Sequence, residues 1–253
     1  MLGIVTVDDN SVEGIGAAFH IGDGILVTAR HVIEDRRVVD LVTNLASVTI
    51  SSLDPIYPDD PNVDLAVIRS DFSLKSYMEH TRIIVDGEEF QKADHIQIGG
   101  HLDDWIDDGL VLMPVVAFGY PLIPLSSRAE LVAVRGEINA VVDPYIGSPH
   151  PLFIISPLAR GGFSGGPVLV DDSWLLGIVT SSLITDSRAP ELGYHAVLSV
   201  EPLWNLLFEH RIFPATNIEL MYALRHSFDV PADEIPLSDE TKRRIDTNSE
   251  TLE

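Results

Sequence analysis

The sequence predicts an all-β fold of barrels or sandwiches, closed by one terminal helix. Three observations predict it. Runs rich in Val, Ile and Leu recur about every ten residues, turn residues separate them, and helical periodicity is convincing at one place only.

In the first series, Ile15–Ile21 and Ile25–Ala29 flank Gly22-Asp23-Gly24, a hairpin signal. Ser47–Ser52 and Leu65–Ile68 follow, with Asp54–Pro61 expected as a Pro- and Asp-rich loop before the latter. A second series begins near Val115. It continues through Leu131–Val142, Leu152–Ile155, Pro167–Val170, Leu175–Thr180 and Tyr194–Ser199. Val200–Arg211 is the helix: Leu203, Leu206 and Leu207 share one face, with Trp204 and Phe208 beside it.

Between the series, Tyr77–Gly109 carries Asp86, Glu88, Glu89, Asp94, Asp103, Asp104, Asp107 and Asp108 against Arg82 and Lys92. It lacks the ordered ligand spacing of a calcium loop and is expected to be a solvated connector. Asp229–Glu253 is charged, contains Pro231 and Pro236, and is expected to be a mobile tail. The expected units are a strand unit over 1–76, the acidic connector over 77–110, a second strand unit with the helix over 111–228, and the acidic tail over 229–253.

Composition narrows the function classes. At 253 residues and 45% hydrophobic, the chain can bury a substantial core. It has no cysteine, which removes disulfides, thiolate metal sites and a cysteine nucleophile, and which suits a reducing compartment. Met1–Asp9 lacks the pattern of a secretory leader, so a cytoplasmic location is expected. A net charge of −23 with 16 Lys and Arg argues against nucleic acid and anionic membranes as partners. The charge serves solubility or the attraction of basic substrate segments.

The segment richest in chemistry is Gly161-Gly162-Phe163-Ser164-Gly165-Gly166-Pro167, which leads into the apolar run Val168–Val170. A nucleophilic hydroxyl needs a tight turn to lift it clear of the backbone, and it needs nearby N–H groups free to bind an oxyanion. Glycines permit both. A phosphate-binding loop is disfavoured, because the Walker lysine is missing and a strand, not a helix, follows. Upstream, Leu26-Val27-Thr28-Ala29-Arg30-His31 puts a histidine just past an apolar strand, where a general base can face a cleft. Asp64, immediately ahead of Leu65–Ile68, can hold a histidine tautomer through its ring N–H. Each is weak alone; their joint occurrence on two successive strand series carries the signal.

Thr28-Ala29-Arg30-His31, Asp64-Leu65-Ala66-Val67 and Gly162-Phe163-Ser164-Gly165-Gly166-Pro167 together resemble chymotrypsin-like (trypsin-fold) serine peptidases, in particular their cysteine-free bacterial branch. With the strand pattern, the resemblance covers about Gly14–Leu207. It implies two six-stranded antiparallel β-barrels packed with the active site between them and a C-terminal helix. It also implies a serine endopeptidase working through an acyl-enzyme on protein or peptide substrates, with no cofactor and no metal. Ser164 would be the nucleophile, His31 the general base and then acid, and Asp64 the residue that orients the imidazolium. The N–H groups of Gly162 and Ser164 would form the oxyanion hole.

Phe163 departs from the digestive relatives, which carry an aspartate there to pair with a newly cut N-terminus. The oxyanion turn is therefore expected to be ordered by packing, by substrate or by a regulatory partner. The resemblance places the primary pocket wall at Leu158, Ala159, Thr180, Ser181 and Ser182; with Leu158 where a trypsin needs an acid, a small or medium apolar side chain is expected in it. His195 lies nearest that pocket among eight further histidines, which show no metal-ligand spacing. Two other readings stay open: a binding or scaffold protein that keeps the fold without catalysis, and an esterase of another fold. The latter needs its histidine last in the chain, whereas here Ser164 follows His31 and Asp64.

Overall fold

The computed structural model describes residues 1–43, 52–72, 83–85, 88–90, 96–99, 108–126, 129–142, 150–156, 161–170, 174–180 and 195–250. The first six strands are β1 (Leu2–Val7), β2 (Glu13–Gly22), β3 (Ile25–Thr28), β4 (Arg37–Val42), β5 (Leu53–Ile56) and β6 (Ala66–Ser70). They form one curled antiparallel sheet in the order β4-β1-β2-β3-β6-β5. A single helical turn, α1 (Arg30–Ile33), follows β3.

The apolar runs of β2, β3 and β6 are nearly continuous because both faces of those runs are buried. Leu26, Ala66 and Ile68 join Leu2, Ile4, Ala18, Val32 and Ile33 in the interior of the first unit. Their strand neighbours Ile25, Val27 and Val67 face the other way, into the larger core shared with the second unit. The period-2 alternation of a strand thus supplies two cores rather than one core and one wet face.

The second unit is built from β10 (Pro114–Gly119), β11 (Val132–Val142), β12 (Leu152–Ile155), β13 (Pro167–Val170), β14 (Trp174–Thr180) and β15 (His195–Ser199). Its order is β13-β10-β11-β12-β15-β14, and β13 pairs with β14 to close the barrel. Helix α2 (Glu201–Glu209) packs Leu203, Trp204, Leu206, Leu207 and Phe208 into the same core, as its periodicity predicts.

Several expectations are corrected. Residues 2–7 and 37–42 are strands that the apolar-run pattern did not isolate. Within the expected loop Asp54–Pro61, residues 53–56 are strand; β5 is the sheet's last strand, where Pro55, lacking an N–H, is tolerated. The expected strand Ser47–Ser52 lies almost wholly outside the described residues. The connector is more than solvated chain. It contains a hairpin, β7 (Ile83–Val85) with β8 (Glu88–Phe90), and β9 (Gln97–Ile98) joins β14 in parallel. Ile98 is fully buried, its N–H donates to Asn217 Oδ1, and Trp204 Nε1 donates to Gly99 O.

The expected mobile tail is structured as far as residue 250. Val230 and Ile235 are buried in the main core, and residues 239–250 form a helix. With α3 (Ile218–Leu224) in place, this helix is α4 (Asp239–Glu250). Asp246 ties it down by accepting from Tyr222 OH at 3.1 Å and from Arg225 Nη2 at 3.0 Å, while the Arg225 guanidinium lies over the Tyr222 ring. The few apolar residues here are well placed, which offsets their scarcity. No helix among the described residues is long and apolar enough to cross a membrane.

Candidate active site

Strand register brings the first two residues together. β3 and β6 are antiparallel with Thr28 opposite Ala66, so the residues just past Thr28 lie beside those just before Ala66. α1 buries Val32 and Ile33 in the first core and turns His31 outward, its side chain 38% exposed. Asp64 is held between buried Val63 and Leu65 and is 15% exposed. Its carboxylate clamps His31 twice. The His31 backbone N–H donates to Oδ1 at 3.0 Å, and Nδ1 lies 2.7 Å from Oδ2 and 2.9 Å from Oδ1. A carboxylate accepts only, so Nδ1 carries the proton in the neutral ring and Nε2 is left as the basic nitrogen.

A third residue joins this group. Thr180, expected in the pocket wall, is 5% exposed and donates its hydroxyl to Asp64 Oδ2. The resemblance points to Thr180 only as pocket wall, and nothing in the sequence marks it as a partner of Asp64. Burial works to raise the Asp64 carboxyl. The hydrogen bond and charge of His31, the Thr180 hydroxyl and the His31 backbone N–H outweigh it and hold the carboxyl below its ordinary range. Leu158, Ala159, Ser181 and Ser182 lie outside the described residues.

Ser164 sits on the turn entering β13, half-buried, with its main chain fixed from both units. Its carbonyl accepts from Ala17 N in β2 at 2.8 Å. One residue on, Gly165 N donates to Val179 O at 2.8 Å, which seats the turn beside Thr180. Gly165 has φ +82° and no room for a side chain: a Cβ would fall 2.3 Å from both Ala17 O and Thr28 Oγ1. Before the serine, Gly162 O accepts from Tyr120 N and Phe163 O from Gly166 N, both at 2.8 Å. Among the described residues, the N–H groups of Gly162 and Ser164 give no hydrogen bond. Phe163 is 2% exposed in the main core, its ring 5.3 Å from that of His195. His195 therefore packs directly behind the turn.

The fold is the chymotrypsin-like double β-barrel. The decisive comparison is with solved structures. The active form of the Rv3671c protease from M. tuberculosis superposes with a TM-score of 0.54 at 19% identity, over 81% of this chain and 78% of that one. The HtrA-type protease AlgW, solved with a tripeptide, gives a TM-score of 0.56 at 18% identity over 83% of this chain. The chain spans 60% of AlgW. No protein-family model matches the sequence, and no curated protein does. Among the described residues, no group of three or more His, Asp or Glu is arranged to hold a metal ion.

Proposed function

We propose that this chain is a serine endopeptidase with Ser164 as nucleophile, His31 as general base and acid, and Asp64 as the orienting carboxylate. The observation that carries the reading is the double clamp of Asp64 on His31, with Nδ1 at 2.7 Å. It fixes the ring and its tautomer, which is what a base needs before it can take a serine proton. Ser164 Oγ would attack the scissile carbonyl carbon while His31 Nε2 takes its proton. The oxyanion would be received by the N–H groups of Gly162 and Ser164. The resulting imidazolium would return the proton to the departing amine, leaving an acyl-serine, and water activated by the same histidine would release the acid.

The double-barrel fold supports this reading, as does the lowered Asp64 carboxyl, which keeps the orienting group ionised. A protein or peptide is the substrate class, in keeping with AlgW having been solved with a tripeptide. The cytoplasm is the proposed location, supported by the absence of cysteine and tested by cell fractionation. Labelling with a fluorophosphonate tests the chemistry directly. Wild type should label at one site and cleave a peptide library, and Ser164→Ala should do neither while melting at the same temperature. Equal cleavage by the alanine variant would remove the nucleophile assignment.

A further inference from the structure

We propose that Tyr120 is a positioning residue that couples the N-terminal strand to the oxyanion turn, an inference that rests on the peptidase reading above. Tyr120 follows β10 directly and is fully buried. Its backbone N–H donates to Gly162 O at 2.8 Å, so its main chain holds one of the two peptides flanking Gly162. The approach leaves no slack. Gly162 has φ +96°, and a Cβ there would lie 2.3 Å from Tyr120 O and 2.7 Å from Pro121 Cα. One residue earlier, a Cβ on Gly119 would lie 2.7 Å from Phe163 Cα. Residues 119–121 and 162–163 thus move together or not at all.

The side chain of Tyr120 reaches the other barrel. Its hydroxyl donates to Met1 O at 3.2 Å, and its ring covers Gly3, where a Cβ would stand 3.0 to 3.3 Å from Cγ, Cδ1 and Cδ2. Gly3 is the register partner of Ala17, the residue whose N–H binds Ser164 O. Both grips on the turn, at Gly162 through Tyr120 and at Ser164 through Ala17, therefore converge on one residue of β1. The seating of residues 1–3 sets the separation between the hydroxyl and the oxyanion donors.

Gly3→Ala and Tyr120→Phe test this without touching the triad or the turn. Gly3→Ala pushes the ring by a few tenths of an ångström, and Tyr120→Phe deletes the hydroxyl that donates to Met1 O. Since a 1 Å misplacement costs about 10²-fold, turnover of a peptide amide should fall about 3- to 10-fold in each, mostly in kcat, with KM within about twofold. Fluorophosphonate labelling should slow in parallel. Because Gly3→Ala acts through the ring, it should be silent in a Tyr120→Leu background. Wild-type kcat in both single variants, or an undiminished Gly3→Ala effect in that background, overturns the inference and leaves the peptidase reading standing. A wild-type protein that neither labels nor cleaves overturns both.

Discussion

Thr180→Val is the sharpest perturbation of the proposed machinery. Valine keeps the shape of threonine at a site that is 5% exposed, so the change removes the hydroxyl that donates to the Asp64 carboxylate. A hydrogen bond to an ionised group contributes about 1.5–3 kcal/mol. If all of it were needed in the transition state, where the imidazolium leans hardest on Asp64, kcat would fall about 10- to 150-fold, at roughly 1.4 kcal/mol per factor of ten. His31 still binds Asp64 through Nδ1 and its backbone N–H, at 2.7 and 3.0 Å, so the loss should lie near the lower end, about 10-fold. Steady-state kinetics on a peptide amide reads it, with KM unchanged because the hydroxyl is directed at Asp64. Thr180→Ser restores the donor and should recover most of the rate. Wild-type kcat in the valine variant, or equal damage in valine and serine, would refute the reasoning.

Asp64→Asn should cut turnover by up to about 10⁴-fold, because an amide favours the wrong imidazole tautomer; unchanged kinetics would place Asp64 outside the machinery. The same pair of proteins has a pH signature. The folded Asp64 carboxyl lies below its unfolded value of about 3.9, so its contribution to stability is complete above about pH 4 and disappears as pH falls through the lower folded value. The difference in Tm between wild type and Asp64→Asn should be level above about pH 5 and shrink below about pH 4; growth on acidification would contradict the assignment. Removing 229–253 strips Val230 and Ile235 from the core, at about 1.5–3 kcal/mol each, and should lower Tm by about 10 °C. Calorimetry showing no fall would return that segment to a dispensable tail.

What was legible in the sequence was what physics writes locally. The glycines around Ser164 announce a turn because the chain there needs positive φ and close approach, and α2 announces itself through Leu203, Leu206 and Leu207. The turn before β6 and the strand leading to His31 were equally plain, since Val63, Leu65 and Val27 are buried on a regular pattern. Partners made by tertiary contact were not legible. Thr180 ends an apolar strand like many threonines, and its bond to Asp64 joins residues 116 positions apart on the two strand units. Pro55 argued for a loop, because a strand edge is a property of the sheet and not of the residue. The last helix was missed for a related reason: α4 docks through Asp246, Tyr222 and Arg225, and charge pairing leaves no periodic trace.

The proposed nucleophile turn belongs to neither barrel alone. Ser164 O is held by Ala17 of the first, Gly165 N by Val179 of the second, and Gly162 O by Tyr120, whose side chain returns to the first. The hydrogen-bonded group of the proposed base divides the same way, with His31 and Asp64 on the first barrel and the Thr180 hydroxyl on the second. The turn itself is tightly packed, because Gly165 and Gly162 leave no space for a Cβ and Phe163 is buried behind them. The relative placement of the two halves rests on the apolar core that the units share and on the hydrogen bonds across the seam. The distance from His31, the proposed base, to the proposed nucleophile Ser164 is therefore set by barrel–barrel packing rather than by the motifs themselves. On that reading, a change in the first strand reaches the chemistry without altering a single residue of the proposed triad.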